Sequence, residues 1–466
     1  EDRIKFELKV VKRKGFIDYF LIMDDIISWA KDNYGEYSVG PGRGSAAGSL
    51  INYVLGLTDV DPLKHNLLFE RFLDIEREDV VDIDTDFEPR IRDAVVDYMI
   101  KKYGNEYTSS IGTYGVLKPK SAILDVARTF AIPAQETMKV TKYLSGAMDD
   151  DISLAGLEKM NPNLKKYLDK WENKGYNLRY YIRGVMGSVR QPSVHAAGVL
   201  VSSEKLSETI ALIKAKKRPI TAWQEGSLGR ELSDLGYYKF DILGLNNLQV
   251  VNDAVNLIKK RRGNEINWED VDINEKFVYE NVVQNKDHFG VFQFESNFVR
   301  MMIDNILPDN FDQLAAISAL LRPGPLHMGM DKEFANRKNQ RPDENGHVWS
   351  PDDIPEPIRD ILEPTMGILT YQEQIMQIAN RIGGFTIGET NQFRKNLMKV
   401  AKVSGSDPEF KKKMDKYKDK FIESASKEEN LGSKEAAKEM WDLMESFAGY
   451  GFNLSHSVSY TYVSFR

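Results

Sequence analysis

The chain has 466 residues, 42% hydrophobic and 29% charged, with a formal net charge of −7, which predicts a soluble globular protein of two or three domains. Cysteine is absent, so disulfides, thiolate metal sites and a cysteine nucleophile are excluded. No apolar run approaches the length that spans a bilayer and no basic-then-apolar leader opens the chain, so a cytoplasmic setting is expected.

In chain order, "YFLIMDDIISWAKDN" carries helical periodicity. A glycine-rich loop follows, "VGPGRGSAAGSL" (39–50), and opens onto the helical "SLINYVLG". Its amides, Ser45 and the next helix N-terminus suit an anion, and Arg43 adds a guanidinium. The spacing of Gly40, Gly42, Gly44 and Gly48 does not match a dinucleotide-binding loop, and the lysine of a Walker loop is missing. A tight structural turn is the plainer alternative, and a phosphate-binding role without that lysine needs a cation from elsewhere.

Residues 76–88, "EREDVVDIDTDFE", hold seven acids and one arginine. The segment "VVDIDTDF" alternates like a strand, which sets Asp82, Asp84 and Asp86 on one face and Val81, Ile83, Thr85 and Phe87 on the other. Stacked carboxylates repel unless a cation sits among them, and Mg²⁺ favours carboxylate together with phosphate oxygens. A solvent-facing edge protected by acids fits the same pattern. Asp74, Glu76, Glu78 and Asp79 precede the strand and read as surface residues. "RIRDAVVDYMIKKYG" is an amphipathic helix stopping at Gly104.

Residues 118–190 read as mostly helical, interrupted by the acidic "GAMDDDISLAG". Strand character returns at "HAAGVLVSS" and "YYKFDILGL", where Lys239 and Asp241 share one face. A third carboxylate there would close a metal site, and the lysine would neutralise phosphate. Helices dominate after Leu245, broken by "LRPGPLHMG" and by "NRKNQRPDENGHVWSPDDIPEP", both read as loops. Residues 386–421 carry ten basic against five acidic side chains. In "NQFRKNLMKVAK", Phe393, Leu397 and Val400 form the buried stripe, while Lys395, Lys399 and Lys402 repeat on another face beside Arg394. An exposed lysine-rich helix is the plain alternative for Lys402 and for Lys411–Lys413.

The motifs "VGPGRGSAAGSL", "DPLKHNLLFERFLD", "DIDTDF", "HAAGVLV", "KFDILGL", "GVFQFES", "LRPGPL", "TYQEQIMQIA" and "FAGYGFNLSHS" follow one another in order. Together they resemble the catalytic core of the C family of DNA polymerases, the bacterial replicative polymerase III alpha subunits. The resemblance implies an α+β fold: a polymerase-β-like nucleotidyltransferase palm (1–117 and 194–245), a helical thumb insertion (118–193) and mostly helical fingers (246–466). It implies template-directed DNA synthesis with two Mg²⁺ ions and dNTP substrates. Asp84, Asp86 and Asp241 match the catalytic, metal-binding triad, with Asp82 supporting. Arg43, Gly44, Ser45, Lys239, Arg394 and Lys395 match nucleotide-binding positions, while Lys118, Lys120 and Lys399 are candidates for primer-template DNA.

Two positions depart from the family pattern: Leu454 replaces the usual lysine before Ser455, and Met398 stands where glycine usually precedes Lys399. His195 and His456 match family histidines and read as structural or DNA-proximal. The family's phosphoesterase-like region and its duplex- and clamp-binding regions have no counterpart here. Contacts to a sliding clamp and other replisome subunits are therefore expected through parts absent from this chain, or through a second polypeptide. The implied setting is the cytoplasm of a bacterial or phage-infected bacterial cell, with no membrane contact. Two other readings are a non-catalytic nucleic-acid-binding module and a metal-dependent nuclease.

Overall fold

The structure is a computed structural model, described for residues 1–75, 80–144, 153–215, 218–226, 229–285, 288–400 and 408–466. Glu76, Glu78, Asp79, Lys402 and the acidic loop 145–152 lie outside the described residues. The architecture is α+β and rich in helices, and the chain divides into two compact units, Glu1–Gly104 with Tyr238–Arg466, and Asn105–Tyr237.

In the first unit, helix Ile17–Tyr34 buries Tyr19, Phe20, Met23, Ile26, Ile27 and Ala30 along one stripe. The expected helix after the aspartates runs Arg92–Tyr103, and the Gly104 N–H closes it on the Ile100 carbonyl. Strand Thr85–Phe87 pairs in parallel with Tyr238–Gly244, in the register Thr85↔Ile242, Asp86↔Leu243, Phe87↔Gly244. The alternating segment predicts a longer strand than this. Its ladder begins only at Thr85 because the Ile83 N–H is taken by the Tyr19 hydroxyl at 3.1 Å rather than by a neighbouring strand.

The glycine loop is fastened to the same strand from its other side. Val39 bridges Phe87 antiparallel, Gly40 N–H donates to Asp86 O, and Glu88 N–H donates to Ser38 O, both at 2.8 Å. Gly42 is required there: at φ +143° a Cβ would lie 2.5 Å from Thr58 Oγ1. The short helix Leu50–Val54 follows the loop. Its N-terminal amides belong to the buried Glu7, which accepts from Leu50 N and Ile51 N at 3.1 Å and from Ser49 Oγ at 2.8 Å. The expected anion site at that helix N-terminus is therefore already filled by a carboxylate.

The remainder of this unit is helical. One core gathers around Phe393, Phe421, Trp441 and Phe447, and a second around Tyr279, Ile303, Ile317 and Phe334. A smaller cluster of Ala47, Val60, Phe311 and Val458 packs the loop region against helix Leu454–Phe465, and Leu454 is partly buried against it. A leucine rather than a lysine at 454 fits that apolar contact. "LRPGPL" is not simply a loop, since Pro323 starts a short helix, Pro323–His327, its fixed φ suiting a first helical position. Asp74, expected on the surface, is buried.

The second unit holds a mixed sheet. Strand Thr108–Val116 pairs antiparallel with Val189–Val201, and Ser110 bridges Ile220 in parallel. Leu212–Ile213 completes the sheet antiparallel to Ile220–Thr221. The expected helices Pro119–Thr129, Ala134–Thr141, Leu154–Met160, Pro162–Glu172 and Leu178–Val185 share a core of Ile123, Leu157, Leu164, Leu168 and Ile182. The segment expected as thumb thus lies in one unit with residues 105–117 and 194–237.

Candidate active site

The parallel register decides which side chains meet. Thr85 pairs with Ile242, so Asp84 and Asp241 stand side by side just before the ladder begins, with Lys239 two residues further back on its strand. Carboxylate oxygens of Asp82, Asp84 and Asp241 all lie within 4.8 Å of one another. Lys239 Nζ is 2.7 Å from Asp241 Oδ2 and 4.0 Å from Asp82 Oδ2. Tyr19 buttons the two strands together: its hydroxyl accepts from Ile83 N and donates to Lys239 O at 3.3 Å, and its ring stacks on Phe240 at 4.8 Å. No local sequence signal marks Tyr19, because its role depends on a helix some sixty residues from one strand and more than two hundred from the other.

The cluster is electrostatically incomplete. Burial, then Asp82 and Asp241, push the Asp84 carboxyl up to about 7. Burial alone would lower Lys239, but Asp82 and Asp241 outweigh it and leave the lysine more basic than usual. Asp241 Oδ1 is buried without a hydrogen-bond donor. An orphaned carboxylate oxygen facing two further carboxylates is a donor set that fits a hard divalent cation.

The glycine loop roofs this centre. Gly44 adopts φ +64°, the left-handed region that favours glycine, and lies next to Asp84, whose Oδ2 would be 3.4 Å from an added Cβ. Its N–H donates to His456 Nδ1 at 3.2 Å. Burial first, then Arg43, hold His456 down at about 4, so the ring is neutral at pH 7 and free to accept. Ser45 is half-buried at the start of the next turn.

A match to the bacterial DNA polymerase III alpha NTPase domain covers residues 1–244, and a match to the bacterial DNA polymerase III alpha subunit finger domain covers residues 247–429. The chain belongs to the bacterial DNA polymerase III alpha family. Among its relatives, the DNA polymerase III subunit alpha of Campylobacter jejuni is 37% identical across 100% of this chain and 37% of its own length. That of Ureaplasma parvum is 37% identical over 99% of this chain and 44% of its own length. That of Bacillus subtilis is 36% identical over 99% of this chain and 39% of its own length. The chain therefore spans about two fifths of the length of the curated relatives it matches.

Within this polymerase III alpha chain, the geometry sorts the expected site residues differently from the motif reading in one respect. Asp86, expected in the metal triad, is not in the carboxylate cluster, and Asp82, expected in support, is. The cause is the register. Asp86 lies opposite Leu243, past Asp241, and its carboxylate is engaged by Arg43 Nη1 at 3.1 Å and by the Tyr460 hydroxyl at 3.3 Å. Burial raises the Asp86 pKa while Arg43 pulls it back.

Arg394 and Lys395 lie on helix Ile387–Val400. Arg394 is buried, donating to Gln372 Oε1 at 2.6 Å and to Asn391 Oδ1 at 2.9 Å, with Met398 Sδ at 3.2 Å. The departure from glycine at 398 thus supplies a sulfur contact to that arginine. Lys395 is half-buried and Lys399 exposed. Lys118 is exposed at the start of helix Pro119–Thr129, and Lys120 is half-buried within it. His195 accepts from Ala197 N and Gly198 N through Nδ1, at the register shift within strand Val189–Val201. No helix among the described residues is long and apolar enough to cross a membrane.

Proposed function

We propose that this chain carries the nucleotidyl-transfer centre of a template-directed DNA polymerase, adding dNMPs to a primer 3′-hydroxyl during DNA replication. The observation that carries this reading is the convergence of Asp82, Asp84 and Asp241 beneath Gly44, within a polymerase III alpha chain. Asp84 and Asp241 of this cluster, with Asp86 as the third ligand and Asp82 in support, would hold a pair of Mg²⁺ ions, which when bound supply Lewis-acid activation of the 3′-hydroxyl and charge neutralisation at the leaving pyrophosphate.

The protein's own groups do the rest. Lys239, held by Asp241, neutralises phosphate charge beside the carboxylates. Arg43, Gly44 and Ser45 receive the triphosphate, and the Gly44 N–H exchanges its His456 acceptor for a phosphate oxygen. From the fingers, Lys395 would add positive charge toward the phosphates, and Arg394 would do so only on leaving its buried contacts with Gln372 and Asn391. Lys118, Lys120 and Lys399 hold primer-template phosphates without reading sequence. In this reading residues 1–117 and 194–245 are the palm, 118–193 the thumb and 246–466 the fingers, and the protein works in the bacterial cytoplasm. A sliding clamp, other replisome subunits or a second polypeptide would join it through surfaces other than this centre.

The test is Mg²⁺-dependent primer extension by the intact protein and by Asp84→Asn and Asp241→Asn. Loss of extension in both, with primed-template binding retained, is expected. Full activity in either variant would refute the assignment. Extension only on adding a second polypeptide would make this chain one part of a split enzyme, and primer shortening without dNTPs would favour a nuclease.

A further inference from the structure

The whole chain is acidic, yet residues 153–190 in the second unit hold eight basic against three acidic side chains, an excess of five positive charges. The three acids, Glu158, Asp169 and Glu172, all bind Arg179. Lys170 and Arg190 are paired with acids outside the segment, Glu136 and Asp125. The other five cations, Lys159, Lys165, Lys166, Lys174 and Arg183, are exposed and make no ion pair among the described residues. Charge that the fold does not neutralise is charge left for a partner.

An aromatic row runs through the same segment. Trp171 meets Tyr176 at 5.6 Å between ring centroids, Tyr176 meets Phe130 at 5.5 Å, Phe130 meets Tyr181 at 5.3 Å, and Tyr181 meets Tyr180 at 5.2 Å. Phe130, Trp171 and Tyr176 lie partly buried against the helical core, whereas Tyr180 is 69% and Tyr181 46% exposed. Helix Leu178–Val185 explains the split, for it buries Leu178 and Ile182 and leaves Tyr180, Tyr181 and Arg183 in solvent. Cations stand at both ends of the row. Lys174 Nζ lies 4.3 Å from the Trp171 ring centroid, and Arg183 follows Tyr180 by three residues on the same helix.

Open aromatic faces among unpaired cations are the combination that binds single strands: bases stack on the rings and phosphates meet the charges. A duplex would use only the cations, because its bases are already stacked on one another. We propose that this face of the second unit binds single-stranded nucleic acid without sequence preference, with bases on Tyr180 and Tyr181 and phosphates on Lys174 and Arg183. The site shares no residue with the aspartate centre. In template-directed synthesis the unpaired template is a strand of this kind, but binding here needs neither metal nor nucleotide.

The test measures binding of labelled oligothymidylate, and of a blunt duplex of equal length, to the intact protein by fluorescence anisotropy across a salt series without metal or dNTP. Tyr180→Ala should weaken oligothymidylate binding by about tenfold and leave duplex binding nearly unchanged. Tyr180→Phe keeps the ring and should keep the affinity, which guards against a folding defect. The double variant Lys174→Gln with Arg183→Gln should flatten the slope of log affinity against log salt by about 1.4, two phosphate contacts at about 0.7 each. Photocrosslinks from iododeoxyuridine in the oligonucleotide should fall on Tyr180 or Tyr181. Unchanged oligothymidylate affinity in Tyr180→Ala would overturn the proposal and leave the face to a protein partner. An equal loss on the duplex would also overturn it, as would crosslinks found only elsewhere. Asp84→Asn, which tests the catalytic reading, should leave all these binding values as they are, so the two can fail separately.

Discussion

Two places in this molecule set three acids around one base, and they behave oppositely. In the second unit, Arg179 meets Glu158 at 2.9 Å and Asp169 at 2.6 Å, and also binds Glu172. In the first unit, Lys239 meets Asp241 at 2.7 Å and reaches Asp82 only at 4.0 Å. A planar guanidinium offers five donors and saturates its neighbours, whereas an ammonium is a compact charge. The Arg179 knot is therefore finished. The Lys239 cluster leaves Asp84 raised to about 7 and an Asp241 oxygen without a donor. Equal counts of charge thus give a structural clasp in one case and a donor set that fits a cation in the other. Donor number and reach decide which.

The sharpest way to break this contrast is to remove a carboxylate from each place. Asp84→Asn or Asp241→Asn should cut primer extension by about 10³-fold or more, the scale of losing a centre that stabilises transition-state charge. Asp84→Asn should not lower the melting temperature of the metal-free protein, because it relieves repulsion, whereas Asp241→Asn also takes the ion pair from Lys239. Arg179→Ala should do the reverse, destabilising its unit by about 1–3 kcal/mol through three orphaned carboxylates while leaving Mn²⁺ affinity alone. Thermal melts and metal titrations on the same samples check both halves.

A pH series sharpens the contrast further. The Asp84 pKa is raised in the folded state from its ordinary value near 4 to about 7, so between those values the native protein holds a proton that the unfolded chain releases. The metal-free protein should accordingly lose stability as pH rises from about 4 to about 7. A divalent cation replaces the proton, so Mg²⁺ should flatten that slope and stabilise more at pH 8 than at pH 5.5. Scanning calorimetry with and without Mg²⁺ reads this directly. A smaller effect is expected at the fastening point. Tyr19→Phe removes the hydroxyl that joins Ile83 to Lys239 and should cost about 1–2 kcal/mol of stability, with Mn²⁺ affinity reduced severalfold as the strands loosen.

What the sequence made legible follows from which signals are local. Two-residue spacing put Asp82, Asp84 and Asp86 on one face of their strand and Lys239 with Asp241 on one face of theirs, and the helices ending at Tyr34 and Tyr103 were readable from periodicity, the second also from its closing glycine. Register was not readable. Nothing in "VDIDTDF" says that Asp84, and not Asp86, falls opposite Asp241, because a two-residue slip preserves the face pattern. The partners that settle the matter, Tyr19, Arg43 and Tyr460, come from distant segments. The same limit applied to the helix after the glycine loop. Its N-terminus resembled an anion site until Glu7, more than forty residues earlier, proved to occupy it.

The most direct test is a calorimetric Mn²⁺ titration of the intact protein beside Asp82→Asn, Asp84→Asn and Asp241→Asn. Tight binding by the unmutated protein, weakened in all three variants and left intact in Arg179→Ala, is the predicted result. Equal Mn²⁺ affinity in the three aspartate variants and the unmutated protein would contradict the account.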